Sequence, residues 1–166
     1  MRRSLVLVAA FAVLAAVPAV AATPKQVNVP AKFAGSFAHV KQKSGIDVRI
    51  PSRLRGPVKP SRIFGDAFAR KGKYRLELGV TRQCNGSNAC FVAAFFGEKG
   101  GTITNGTALA LHGGVTGYYA QGGCGASCAP NSIEWMQGGV RYEIQFKNRK
   151  RSLKRLANQS IDAGPR

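Results

Sequence analysis

The chain has 166 residues, a length that one domain fills, and sets 25 Lys and Arg against 7 Asp and Glu for a formal net charge of +18. That balance excludes an acidic inhibitor and a disordered acidic tail. Hydrophobic residues make up 45% of the chain, enough for a core, although an opening stretch that is nearly all apolar inflates the figure.

Arg2 and Arg3 precede an apolar run over residues 5–17; Pro18 breaks it, and Ala19-Val20-Ala21-Ala22 supplies the small residues that a signal peptidase accepts. These three regions predict a secretory signal peptide over residues 1–22 and a single exported domain over residues 23–166. An uncleaved anchor is the alternative, but the run falls short of the ~20 residues that a membrane-spanning helix needs. No cysteine stands at the cleavage point to carry a diacylglycerol, and no later apolar stretch is long enough to span a bilayer, so no transmembrane segment is expected in the mature chain. The residues around Arg2-Arg3 match a twin-arginine signal poorly, which favours the general secretory route.

Residues 33–43 read as one short helix, with Phe33, Phe37 and Val40 at helical spacing and Gly45 to stop it. Residues 46–50 then alternate as a strand. Pro51, Pro57 and Pro60 argue against ladder structure in the next segment, which is expected to run as an extended surface loop carrying Arg53, Arg55 and Lys59. Period two returns where Tyr74, Leu76, Leu78 and Val80 alternate with Lys73, Arg75 and Glu77. Residues 90–96 are apolar on both faces, as in a central strand, and 107–111 and 115–120 form a hairpin around His112-Gly113-Gly114. Tyr118 and Tyr119 read either as rings that stack on a ligand or, more simply, as packing in that meander.

Ile133 and Trp135 alternate before Gly138-Gly139, and Val140, Tyr142, Ile144 and Phe146 alternate after it. A two-residue turn there sets Trp135 opposite Tyr142 and Ile133 opposite Ile144 on the core face. Leu153, Leu156, Ala157 and Ile161 give a C-terminal helix an apolar stripe to lay on the sheet. The expected fold is α+β: an antiparallel meander with a C-terminal helix, one short N-terminal helix and two local disulfides.

All four cysteines, Cys84, Cys90, Cys124 and Cys128, lie beyond the signal, and an even count in an exported chain reads as two disulfides. Of the three pairings, turn chemistry at Asn85-Gly86-Ser87-Asn88 and the short spacer Gly125-Ala126-Ser127 favour the local one, Cys84 with Cys90 and Cys124 with Cys128. A tetrathiolate zinc site is the alternative, with five and three intervening residues where two to four are usual. Neither pair has the spacing of a thioredoxin-type redox motif.

The run Cys124-Gly125-Ala126-Ser127-Cys128-Ala129-Pro130, followed by Ile133, Trp135, Gly139, Tyr142 and Ile144, resembles the C-terminal half of a class of uncharacterised exported bacterial proteins. The ending, a Trp to Tyr hairpin and then a helix with Leu156-Ala157 and Ser160, is similar to domains of secreted and membrane-anchored bacterial proteins. Some of those have been compared with the LolA-like envelope fold, a curved antiparallel sheet packed with helices that can hold lipid. The resemblance spans residues 74–161 and implies an envelope location and an α+β fold. It carries no catalytic residue onto this chain, and lipid carriage enters only as an analogy of fold.

An enzyme needs convergent titratable groups, and this chain offers His39, His112 and seven carboxylates. It has no nucleophile elbow, His-Glu-x-x-His helix or Walker phosphate loop, and His112 beside Gly113 reads as a turn residue. No catalytic residue, cofactor or metal is therefore assigned. Glu134 falls opposite Glu143 on the solvent face, with Cβ atoms ~4.5–5.5 Å apart. The pair reads either as a cation site or acid/base couple, or more simply as two carboxylates neutralised by Arg141 and Lys147 on the same face.

The charge is unevenly placed. Residues 23–83 hold 14 Lys and Arg with 3 acids, residues 84–146 hold 2 with 3, and residues 147–166 hold 7 with 1. Lys147, Arg149, Lys150, Arg151, Lys154 and Arg155 crowd the start of the last helix, where the macrodipole disfavours cations by ~0.3–1 kcal/mol each. Local stability does not account for that choice. A solvated basic face is one reading, and contact with polyanions of the cell envelope, such as anionic lipid or polysaccharide, is the other. Nucleic acid ranks below these, because export removes the protein from the genome and no aromatic single-strand motif accompanies the charge. The expectation is a periplasmic or secreted, non-enzymatic protein that binds anionic envelope components through those six residues. A LolA-like carrier of lipid or another apolar ligand, marked by a closed apolar cavity, is the alternative, and a small envelope enzyme the third.

Overall fold

A computed structural model describes residues 26–84, 87–103, 105–125, 128–147 and 149–166. The signal peptide expected over residues 1–22 and the turn residues Asn85, Gly86, Ala126 and Ser127 lie outside the described residues. The chain enters as β1 (Gln26–Asn28), passes through α1 (Val29–Phe33) and α2 (Phe37–Ser44), and returns as β2 (Arg53–Arg55), which pairs antiparallel with β1. It then builds β3 (Phe64–Arg70), β4 (Lys73–Gly79), β5 (Phe91–Lys99), β6 (Thr107–Ala110), β7 (Thr116–Ala120), β8 (Asn131–Gln137) and β9 (Val140–Phe146), and ends in α3 (Lys150–Asp162). Among the described residues these seven strands form one antiparallel sheet in the order β3-β4-β5-β9-β8-β7-β6.

The helices cover one face of that sheet, α1 and α2 over β3 and β4, α3 over β8 and β9. Tyr74, Leu76, Phe95, Ile133, Trp135, Tyr142 and Ile144 point into the layer between, where Phe33, Val40, Leu153, Leu156 and Ala157 meet them. The expected register holds: Trp135 lies opposite Tyr142 with rings stacked at 5.5 Å, and Ile133 lies opposite Ile144. Gly138 and Gly139 turn that hairpin with φ of +60° and +73°, a conformation that a side chain with a Cβ resists. Ile161 is half-buried at the end of the α3 stripe. Both disulfides are the local ones, Cys84–Cys90 with Cα atoms 5.6 Å apart and Cys124–Cys128 at 4.0 Å. With every thiol paired, the tetrathiolate zinc alternative has no ligands.

Three sequence expectations are corrected. The single helix over residues 33–43 is two helices, because Gly35 interrupts it: Phe33 closes α1 in the core and Phe37 opens α2, which Gly45 ends at φ +66°. Residues 46–50 keep period two, with Ile46, Val48 and Ile50 buried, yet form no strand. Their backbone groups find other partners. Val48 and Arg166 exchange hydrogen bonds at 3.3 and 3.0 Å, the Tyr74 hydroxyl accepts the Arg49 N–H at 3.2 Å, and the Tyr142 hydroxyl donates to the Asp47 carbonyl at 3.2 Å. The segment read as an extended surface loop contains β2, since Pro51 and Pro57 flank those three residues instead of falling among them, and Leu54 packs into the core. Among the described residues no helix is long and apolar enough to cross a membrane.

Candidate functional site

The six basic residues expected to bind anions differ in their surroundings. Lys147 donates to the Asn88 carbonyl and lies 5.9 Å from the Phe91 ring centroid, and Lys150 lies 5.4 Å from that of Tyr119. Both cations therefore sit over aromatic rings. Arg149 is the N-cap residue of α3, and Arg151 and Lys154 are exposed along its outer side. Arg155, one turn after Arg151, lines a recess against the N-terminal ribbon.

There the two basic regions of the chain meet. Leu54 is buried, so the alternation of β2 sends Arg53 and Arg55 outward on one side. The register sets Gln26 opposite Arg55, and Gln26 Oε1 accepts from Arg53 Nη1 at 3.5 Å. Gln159 ties α3 to this ribbon, its Oε1 accepting the Ser52 hydroxyl and the Arg53 N–H, both at 3.2 Å. Arg53, Arg55, Arg155, Gln26, Ser52 and Gln159 line an open recess of about 290 Å³, and no acid is among the described residues that line it. Arg55 also borders a second recess of about 500 Å³, whose floor is Val58, Val80, Phe91, Val92 and Phe146 and whose rim carries Lys147.

Sequence reasoning singled out Arg155 but placed Arg53 and Arg55 only on a loop. The signal was present in the Arg-Leu-Arg alternation, which is the strand period. What the sequence does not display is that residue 159 reaches residue 53 across more than a hundred positions.

The helix-free face of the sheet is chemically different. Five of the seven carboxylates, Asp66, Glu77, Glu98, Glu134 and Glu143, lie on its strands, together with Arg70, Lys73, Arg75 and Arg141. Glu134 stands opposite Glu143 as expected. Arg141 bridges them: its Nη1 is 3.1 Å from Glu134 and 3.6 Å from Glu143, while Nη2 is 2.8 Å from Glu98. Lys147 is not part of this cluster, correcting the expected pairing; Gln145 instead donates to Glu143 at 2.7 Å. Burial pushes the Glu143 carboxyl above the usual carboxylate range, whereas hydrogen bonds from Lys73 and then Arg141 hold Glu98 below it. For Arg141, burial acts downward but the bonds to Glu98 and Glu134 outweigh it, and the net shift is upward.

His112 sits in its turn, with Nδ1 2.9 Å from the Asp162 carboxylate and its N–H donating to Asn158 at 3.0 Å, so it fastens the β6–β7 hairpin to α3. His39 is exposed on α2, away from it in the fold. Among the described residues, no three His, Cys, Asp or Glu side chains are grouped to hold a metal ion. The chain matches no family model, no curated protein and no solved structure.

Proposed function

We propose that this is an exported, non-enzymatic protein that captures anionic components of the cell envelope by its basic surface. The observation that carries this reading is the convergence of two basic regions, one from each end of the chain, on an acid-free recess between β2 and α3. Guanidinium groups gathered without a counter-ion repel one another, a cost that an anionic partner relieves, and this supports the reading. The N-terminal sequence and the two disulfides support an oxidising location outside the cytoplasm.

The test is co-sedimentation with phosphatidylglycerol and phosphatidylcholine vesicles over a salt series. Binding is expected to the anionic vesicles alone and to fall as salt rises. Replacing Lys147, Arg149, Lys150, Arg151, Lys154 and Arg155 with Gln is expected to weaken binding and flatten its salt dependence. Unchanged binding by that variant would sink the assignment.

The second reading, carriage of lipid or another apolar ligand, draws support from the recess floored by Val58, Val80, Phe91, Val92 and Phe146. That recess opens at the surface, while Trp135, Phe33 and Phe95 occupy the layer between sheet and helices. Surface capture is therefore the better supported reading.

A further inference from the structure

We infer that the recess between β2 and α3 is a saturable binding site for a tetrahedral oxyanion of the phosphate class, an inference that rests on the anion-capture reading and names its ligand chemistry. Arg53 and Arg55 project from one side of the β1–β2 ribbon, held there by Leu54, which is 2% exposed beneath them. Arg155 and Gln159, four residues apart, share one face of α3 and approach from the other side. The Gln159 Oε1 already accepts two hydrogen bonds from the ribbon, so the side-chain group it has left to offer is its amide nitrogen, a donor.

The donor set is therefore lopsided. Three guanidiniums and an amide nitrogen supply N–H groups, and the Gln26 oxygen is already engaged with Arg53. Arg53, Arg55 and Arg155 have no ion-pair partner among the described residues. A phosphate group brings several acceptor oxygens and up to two negative charges, and planar guanidinium forks engage such oxygens in pairs. A recess of about 290 Å³ holds one such group with room for an ester substituent. A carboxylate has two acceptor oxygens and leaves one of three forks unmatched.

Fork geometry, not charge alone, separates this site from general polyanion capture, and a charge-conserving change reads the difference. The purified chain is titrated calorimetrically at low salt with inorganic phosphate, methyl phosphate and dodecyl phosphate. Wild type is compared with Arg55→Lys/Arg155→Lys and with Lys43→Gln/Lys71→Gln, two exposed lysines outside the recess. Methyl phosphate is expected to bind one to one, the lysine variant to lose about tenfold or more in affinity while still sedimenting with anionic vesicles, and the glutamine variant to change less than about threefold. Tighter binding of dodecyl phosphate would assign the ester to a lipid headgroup; equal binding would assign it to a water-soluble phosphate ester, and the oxyanion site stands in both cases. Absence of saturable phosphate binding, or equal losses in the two variants, would overturn the site while vesicle binding kept the broader reading alive. Wild type that binds neither phosphate nor anionic vesicles would bring down the broader reading as well.

Discussion

Glu98 and Glu143 stand on neighbouring strands around the same arginine, yet their environments pull them in opposite directions. Glu143 has only 12% of its side chain exposed, and burial favours its neutral form. Its folded pKa lies above the unfolded 4.5, so the protonated carboxyl favours folding; that advantage is present below 4.5 and is lost as pH rises through the folded value. Glu143→Gln keeps an acceptor for the Gln145 amide and removes the buried charge. We expect it to raise the urea midpoint at pH 7 and to leave it unchanged near about pH 4. Glu98 is the reverse case: its stabilisation is present above 4.5 and is lost as pH falls through its lowered folded value. Glu98→Gln is expected to lower the midpoint at pH 7, where it deprives Lys73 and Arg141 of their shared carboxylate. Paired urea titrations at the two pH values check both, and a lower midpoint for Glu143→Gln at pH 7 would contradict the burial argument.

At the level of the elements, each disulfide closes a short loop, of six and four residues in sequence separation. Loop-closure entropy gives each roughly 2 kcal/mol of stability. Cys84→Ser/Cys90→Ser is expected to lose about that much in denaturant unfolding, with the sheet retained by circular dichroism. The elements most legible in the sequence were those with an apolar period and a glycine turn: the β8–β9 hairpin, with its register, and β4 could be read directly. The strand β3 could not, because its core-facing positions are Gly65, Ala67 and Ala69. Those small residues answer to the helices above them: a Cβ on Gly65 would stand 2.5 Å from the Lys32 carbonyl oxygen. Close packing there demands the absence of the large side chains by which a strand is recognised. Residues 46–50 failed in the opposite sense. Their period was right, but burial and alternation do not say whether a ladder partner or a tyrosine hydroxyl will satisfy the backbone.

Across the whole molecule the charges are sorted by face. The strands of the helix-free side hold acids and bases in near balance, while β2 and the outer side of α3 are basic. Composition revealed the excess of cations and their crowding at both ends of the sequence, but not that the ends adjoin, which depends on Gln159 bonding to residues 52 and 53. If capture proceeds as proposed, the molecule lies on an anionic surface with α3 and β2 inward and the helix-free face outward. Limited trypsin digestion on phosphatidylglycerol vesicles is then expected to slow cleavage at Arg151 and Lys154 relative to free protein while sparing the rates at Arg70 and Lys73. Equal protection of all four positions would argue against an oriented complex. The disulfides carry a separate consequence for how the protein is made. Each cysteine's native partner is its nearest cysteine in sequence, whereas a scrambled Cys84–Cys124 link would close a loop of roughly 40 residues at about 1.7 kcal/mol more entropy. Oxidation by first encounter thus favours the native pairing, and reduced, unfolded chain is expected to recover both native disulfides with an oxidant alone, which peptide mapping of the refolded protein checks.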